Sequence, residues 1–115
     1  MDETYLDRLE QIARNEATFR EVNEAIAQTA KRLDADEVDF VCECGDADCA
    51  ERITAGLCEY NRVRRHPTRF LLTHGHEQPG IEQVVRRTHD YTVVEKVERT
   101  VAHVARLLNP RPETA

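Results

Sequence analysis

Three cysteines spaced as C-x-C-x4-C, namely Cys42, Cys44 and Cys49, constrain the fold of this 115-residue chain more than any other feature. Residues 38–44 alternate in the manner of a half-buried strand, which places Cys42 and Cys44 on the same face. Residues 45–48, Gly-Asp-Ala-Asp, form turns readily and return the chain towards Cys49. The three thiols are therefore predicted to converge on one point.

Convergent thiols at this spacing indicate a metal site, and zinc is the predicted cofactor. Structural zinc takes four thiolate or imidazole ligands in a tetrahedron. The cysteines supply three of these ligands. His76 is predicted as the fourth, because it lies in a glycine-containing turn after a strand that can pair beside the first. His74 and Cys58 remain alternative fourth ligands.

Other chemistry is also open to these cysteines. An iron–sulfur cluster uses cysteine ligands, although a fourth cysteine at suitable spacing is not evident. Cys42 and Cys44 are alternatively a redox pair, but the neighbouring acids Glu43, Asp46 and Asp48 are expected to raise the pKa of a thiol and so disfavour its activation. Cysteines without any ligand at the end of a strand are the remaining interpretation.

Zinc is expected to matter for folding and fits a cytoplasmic location. A structural zinc ion contributes about 10–16 kcal/mol at neutral pH, and its loss is expected to unfold at least residues 40–76. The N-terminus, Met1-Asp2-Glu3, lacks the apolar core of a signal peptide, which predicts the cytoplasm, where cysteines tend to bind metals. No run approaches the roughly 20 apolar residues of a membrane span, so no membrane contact is expected.

The order of the predicted elements gives an α+β fold in a single domain, residues 1–115. A long N-terminal helix covers residues 1–33, which contain neither glycine nor proline. A zinc-stabilised α+β core with a small, mostly antiparallel sheet covers residues 38–96, and a C-terminal helix covers residues 97–108. Within the core we expect strands near 52–55, 69–73 and 91–96, a helix near 57–65, and either a short helix or an irregular edge at 81–88.

Two stripes along the N-terminal helix bear on self-association. The pattern fits a homodimer through residues 5–33 in which Asn23 sets the register of a coiled coil, and equally an amphipathic helix that packs on its own domain. Phe19, Asn23 and Ile26 are the predicted contacts with a protein partner, which the sequence does not identify. The apolar stripe consists of Tyr5, Ile12, Phe19, Ile26 and Leu33, and the mixed stripe of Leu9, Glu16, Asn23 and Ala30.

Charge is distributed unevenly along the chain. Residues 1–60 carry 16 acidic and 6 basic side chains, whereas residues 61–115 carry 6 and 10. A basic cluster near the end of the predicted helix at 57–65 complements the helix dipole, and its alternative role is contact with nucleic-acid phosphates. Few aromatic residues are available for base stacking. The cluster consists of Arg62, Arg64, Arg65, His66 and Arg69.

The favoured function is a zinc-stabilised, non-enzymatic interaction or regulatory module. The first alternative is a zinc-containing regulator that binds nucleic acid. The second is a small zinc-dependent hydrolase, with Glu77 beside His76 as its general base. Catalytic zinc needs an open coordination position, which the predicted Cys3His ligand set would close.

Residues 14–96 resemble a family of small bacterial proteins that share the pattern F-x-C-E-C-x-D-x-x-C, E-Y, P-x-R-F, G-H-E and Y-x-V-V-E-K. The resemblance implies that His76, the histidine of G-H-E, is the fourth ligand, and it implies no activity. This chain departs from the usual Pro-Gly-His-Glu by placing His74 before the glycine, which keeps His74 as a rival. The matching segments include Phe40–Cys49, Glu59-Tyr60, Pro67–Phe70, Gly75–Glu77 and Tyr91–Lys96.

Overall fold

The predicted α+β class, with a long N-terminal helix and a C-terminal helix, is confirmed by the computed structural model. The model describes residues 3–111, so residues 1–2 and 112–115 of the predicted domain lie outside the described part. The elements of the described part are α1 (Glu3–Arg32), β1 (Glu37–Val41), β2 (Arg52–Gly56), α2 (Leu57–Arg64), β3 (Arg69–Leu72), β4 (Glu82–Arg87), β5 (Thr92–Lys96) and α3 (Arg99–Leu107).

The long helix α1 has a defined end. Asp34, just after α1, has a φ of 57°, in the left-handed region. The backbone N–H groups of Asp34 and Ala35 donate to the carbonyls of Lys31 and Ala30 at 3.2 and 2.9 Å, which is the Schellman pattern of helix termination. Although α1 is 30 residues long, no helix within residues 3–111 is both long and apolar enough to cross a bilayer.

The strands form two antiparallel sheets instead of the single sheet that the sequence predicted. β1 pairs with β2, and β5 lies between β3 and β4. The backbone N–H of Cys42 still donates to Glu51, at 3.1 Å, but the next N–H, that of Glu43, donates to the carbonyl of Leu71 at 2.8 Å. The chain therefore leaves β2 after Cys42 and crosses to β3, which divides the strands into two sheets that meet beside the cysteines.

The segment 81–88, which the sequence left undecided, contains the edge strand β4. Its register against β5 shifts between Val84 and Arg86, so Val85 is the extra residue of a β-bulge and is exposed. Bulges and charged side chains are common at sheet edges because they discourage pairing with other chains. They also weaken the alternation of apolar and polar residues by which a strand is recognised.

Two apolar clusters fill the interior of the described part of the chain. The larger lies among the two sheets, α1, α2 and α3, and it includes the rings of Phe40 and Tyr60, stacked with their centroids 4.3 Å apart. Cys42 and Cys44 belong to this cluster. The smaller cluster joins α1 to α3 and consists of Leu9, Ala13, Val101 and Val104, with Ile81 and Leu108 packed against it.

Between these clusters, α1 contacts the rest of the chain through a row of buried polar side chains, Glu16, Arg20, Asn23 and Glu24. Their spacing of four, three and one residues places them on one face of the helix. Asn23 is fully buried; its amide donates to the carbonyl of Val41 and accepts from the N–H of Val41, both at 2.8 Å. The prediction that Asn23 contacts a partner is therefore wrong.

A buried charge cluster at one end of this row ties α1 to the three-stranded sheet. The ammonium group of Lys96 lies between the carboxylates of Glu16 and Glu82, and all three side chains are at most 2% exposed. Burial raises the pKa of Glu16 to about 7, although the positive charge of Lys96 acts in the opposite direction. Lys96 also lies over the ring of Phe70, 4.7 Å from its centroid.

We expect Lys96→Ala to lower the free energy of unfolding by about 3–5 kcal/mol, because it leaves two buried carboxylates without their cation. Arg69→Ala is the matched control, since it removes a partly exposed pair with Glu95 at 3.4 Å, and it should cost about 0–1 kcal/mol. Urea unfolding at constant metal content measures both values. Equal losses in the two variants would contradict the importance assigned to the buried cluster.

Candidate metal centre

Cys42 and Cys44 are positioned by the extension of β1. Phe40, Cys42 and Cys44 are all buried and belong to the same apolar cluster, as expected for alternate residues on one face of a strand. Cys49 is returned towards them by a turn in which Asp46 accepts from two backbone N–H groups. These are the N–H of Asp48, which donates to the carboxylate at 2.9 Å, and the N–H of Cys49, which donates to the carbonyl at 3.1 Å.

The turn after the two cysteines packs closely against α1. A Cβ atom at Gly45 would lie 2.5 Å from a methyl carbon of Ile12, so a side chain at this position requires the helix or the turn to move. The Asn15 amide donates to the carbonyl of Gly45 at 3.0 Å. The helix thus fixes the turn that leads to Cys49.

His76 reaches the cysteines from the loop after β3. The backbone N–H of His76 donates to the carbonyl of Thr73 at 3.1 Å, closing a turn that contains Gly75 with a φ of 85°. This positive φ favours glycine. Glu77 accepts from the N–H of Gly75 at 3.0 Å and pairs with Arg87 at 2.8 Å, which anchors the loop to β4.

The four predicted ligands come together in the structure. One ligand atom from each of Cys42, Cys44, Cys49 and His76 lies within 4.8 Å of the others. The Nδ1 atom of His76 lies 3.6 Å from Sγ of Cys42 and 3.7 Å from Sγ of Cys49. Metal–ligand bonds of about 2.3 Å to sulfur and 2.0–2.1 Å to nitrogen in a tetrahedron give a sulfur–nitrogen distance of about 3.6 Å. The spacing therefore suits one tetrahedral metal ion.

The two rival ligands lie elsewhere. His74 contacts Thr92 Oγ1 through Nδ1 at 2.7 Å and the carbonyl of His89 through Nε2 at 3.1 Å, so both ring nitrogens already have partners. Cys58 is exposed on α2. Within residues 3–111, neither side chain belongs to the group of ligand atoms around His76.

The thiols of the cluster differ in their affinity for protons. Hydrogen bonds lower the pKa of Cys42 well below its usual value; the Cys44 thiol contributes most, and the Thr73 N–H, 3.2 Å from the sulfur, adds to it. The pKa of Cys44 is raised, chiefly by its hydrogen bond to Cys42. The leading causes of both shifts are hydrogen bonds and burial, and not the neighbouring acids from which the sequence predicted a raised thiol pKa.

Glu43, between the two cysteines, is a structural residue that the sequence reasoning missed. It is fully buried. Its carboxylate accepts from the Asn23 amide at 2.8 Å, the Tyr60 hydroxyl at 3.0 Å and the Leu71 N–H at 2.9 Å. Burial raises the pKa of Glu43, while the charge of Arg64 opposes that shift. Strand alternation indicated that Glu43 points away from the thiols. It did not indicate that the opposite face of the strand, on which Glu43 lies, is also buried.

The predicted basic cluster is divided by the structure. Arg64 is buried: it donates to the carbonyl of Arg69 at 3.0 Å and to Asn109 at 2.8 Å, and it lies 3.5 Å from Glu24. Its predicted contact with nucleic acid is therefore wrong. Arg62 and Arg65 are exposed and Arg69 is half-buried.

Comparisons of the chain with protein families, with curated proteins and with solved structures found no match. The resemblance seen in the sequence stays a prediction. The functional assignment consequently depends on the chemistry of the four ligand residues and of the surfaces around them.

We expect Tyr60→Phe to lower the free energy of unfolding by about 1–3 kcal/mol, because the buried carboxylate of Glu43 loses a donor while the ring stacking on Phe40 is kept. Tyr91→Phe is the control, since its hydroxyl donates to Glu59, which is only half-buried, and it should cost less. Chemical unfolding at constant metal content compares the two. A larger loss for Tyr91→Phe would contradict the role given to Glu43.

Proposed function

We propose that this chain is a small non-enzymatic module whose fold is stabilised by one zinc ion bound to Cys42, Cys44, Cys49 and His76. The convergence of three sulfur atoms and one imidazole nitrogen within 4.8 Å carries this proposal. Thiolate and imidazole ligands in a tetrahedron are the preferred set for structural zinc. Zinc has no redox chemistry of its own, which agrees with a structural role.

The same ligand set argues against the hydrolase alternative. Three thiolates and an imidazole fill all four positions of tetrahedral zinc, whereas catalytic zinc retains a position for water or substrate. Glu77, the candidate general base, is instead paired with Arg87 at 2.8 Å. Burial of two of the four ligands in the apolar core, Cys42 and Cys44, further supports a structural ion.

Zinc binding should contribute a large share of the stability. Structural zinc contributes about 10–16 kcal/mol at neutral pH, compared with a usual net stability of about 5–15 kcal/mol for a domain. The cytoplasm suits such a site, because its thiols stay reduced there; all four cysteines of the chain are free.

We expect metal analysis of natively purified protein to find about one zinc ion per chain. Cys44→Ser and His76→Ala should lose most of this zinc and unfold at a much lower temperature, since each removes one of four ligands. Cys58→Ser and His74→Ala are the matched controls, because they change the same residue types outside the ligand group, and they should keep the metal. Metal-free, folded protein that is insensitive to chelators would refute the zinc site.

The interaction surface that we propose is an apolar groove along α1, about 510 Å³ in volume. Ile26, a predicted contact, lines it and also packs on the core. Phe19, half-buried, lies one turn before Val22. Val22 and Leu33 are 42% and 74% exposed and belong to one continuous apolar surface, and contiguous surfaces of this kind are common at interaction sites. The lining consists of Val22, Ala25, Ile26, Thr29, Ala30, Leu33 and Val38.

A second copy of this chain is the proposed occupant of the groove. In a two-fold dimer the same surface faces itself, so each groove would receive the exposed Val22 and Leu33 of the other copy. An antiparallel arrangement of the two α1 helices would also bring the basic last turn, Lys31 and Arg32, towards the exposed Glu21 of the other copy. Opposite charges would therefore meet at both ends of the apolar contact.

We expect light scattering to give a dimer mass for the unsubstituted protein and a monomer mass for the Val22→Asp/Leu33→Asp double variant, because buried carboxylates oppose the contact. Leu107→Asp is the control, since Leu107 is 70% exposed on α3, and it should leave the mass unchanged. A monomer mass for the unsubstituted protein at tens of micromolar would contradict self-association.

A further inference from the structure

A second concave surface lies between α2 and the three-stranded sheet, and none of the four candidate metal ligands lines it. We call it the arginine groove; its volume is about 330 Å³. The charged side chains come from different elements, namely Arg62 from α2, Arg69 from β3 and Arg86 from β4, with Arg65 from the segment after α2. The remaining lining consists of Glu59, Val63, His66, Val85 and Val93.

The arginine groove has an excess of positive charge that the protein does not neutralise. Among residues 3–111, the guanidinium groups of Arg62, Arg65 and Arg86 form no hydrogen bond or ion pair, whereas Arg69 pairs with Glu95 at 3.4 Å. Glu59, the acidic residue of the lining, accepts from the Tyr91 hydroxyl and from the Gly56 N–H. Four guanidinium groups are therefore offset by two carboxylates, those of Glu59 and Glu95.

Helix-dipole complementarity explains only part of this arrangement. Basic residues in the last turn of a helix interact favourably with its C-terminal carbonyls, which accounts for Arg62 and for Arg65 beside it. Arg69 and Arg86 belong to strands of the sheet, so the dipole of α2 does not account for their position at the groove. Positive charge is therefore concentrated at this groove although the chain as a whole has a net charge of −6.

The shape and lining of the groove restrict the ligand. Guanidinium groups bind phosphate oxygens in bidentate fashion, and several of them in one concave site suit several neighbouring phosphates. Val63 and Val93 are buried and form an apolar floor. No Phe, Tyr or Trp ring lines the groove among the described residues, which disfavours recognition by base stacking. A volume of about 330 Å³ matches the lower range of small-molecule sites.

We propose that the arginine groove binds a small molecule with two or more linked phosphate groups. A nucleic acid fits less well, because its affinity grows with the number of phosphates neutralised along an extended basic surface, whereas these arginines are confined to one small groove. Linked phosphates occur both in nucleoside diphosphates and in inorganic pyrophosphate. In both cases the phosphates would contact Arg62, Arg65 and Arg86, whose guanidinium groups form no hydrogen bond or ion pair within residues 3–111.

The test is isothermal titration calorimetry of the metal-loaded protein with inorganic pyrophosphate and, separately, with ADP. We expect saturable one-to-one binding of at least one probe, which weakens at least tenfold in the Arg62→Ala/Arg86→Ala variant. The Arg8→Ala/Arg14→Ala variant is the matched control, because it removes two exposed charges from α1, and it should bind as the unsubstituted protein does. Zinc content measured after each titration excludes metal removal by the phosphates.

The outcomes separate the possible ligands. Tighter binding of ADP would support the proposal and indicate a nucleoside diphosphate, whereas equal or tighter binding of pyrophosphate would support it and indicate recognition of the phosphates alone. Absence of saturable binding of both probes at millimolar concentration would overturn the proposal. Undiminished binding in Arg62→Ala/Arg86→Ala would overturn it as well. A third probe, a short oligonucleotide, would overturn it if it bound more tightly than ADP and pyrophosphate and if its binding depended on the same two arginines.

Discussion

The row of buried polar side chains on α1 determines how the other elements are arranged around the long helix. An apolar stripe alone would tolerate small rotations and shifts, because hydrophobic contact is not directional. Buried charges and amides do not tolerate them, since a displaced partner leaves an unsatisfied group that costs several kcal/mol. The contacts of the row reach four segments: Glu16 pairs with Lys96, Arg20 donates to Pro67 and Ala105, Asn23 bonds Val41 and Glu43, and Glu24 pairs with Arg64 and Arg111.

Glu43 connects this row to the metal centre. Because side chains alternate along the strand, fixing the carboxylate of Glu43 on one side also fixes the directions of Cys42 and Cys44 on the other. The carboxylate is bonded to α1, α2 and β3 through Asn23, Tyr60 and Leu71. Three elements therefore orient two of the four candidate ligands, in the way that outer hydrogen bonds orient the ligands of known metal sites.

The sequence predicted most elements and all four members of the ligand group, because strand alternation, turn composition and helix formers are local signals. The predictions that were wrong concern which polar side chains are buried, because burial depends on contacts distant along the chain. The stripe containing Asn23 has the same spacing whether it faces a partner or its own domain, and the contact that buries Glu16 lies 80 residues away, at Lys96. The same holds for Arg64, whose partners Glu24 and Asn109 lie far from it along the chain.

The polar interior and the proposed zinc ion have complementary effects. Seven charged residues are buried within residues 3–111, and burying an ion pair returns little net stability after the desolvation of both partners. These interactions specify the position of α1 but add little to the free energy of unfolding, which is small for a domain of this size. Zinc can supply that free energy at the point where β1, the following turn and the loop after β3 meet. Because Glu43 couples the ligand strand to Asn23, loss of the ion should weaken the attachment of α1 together with the metal centre. The seven residues are Glu16, Arg20, Glu24, Glu43, Arg64, Glu82 and Lys96.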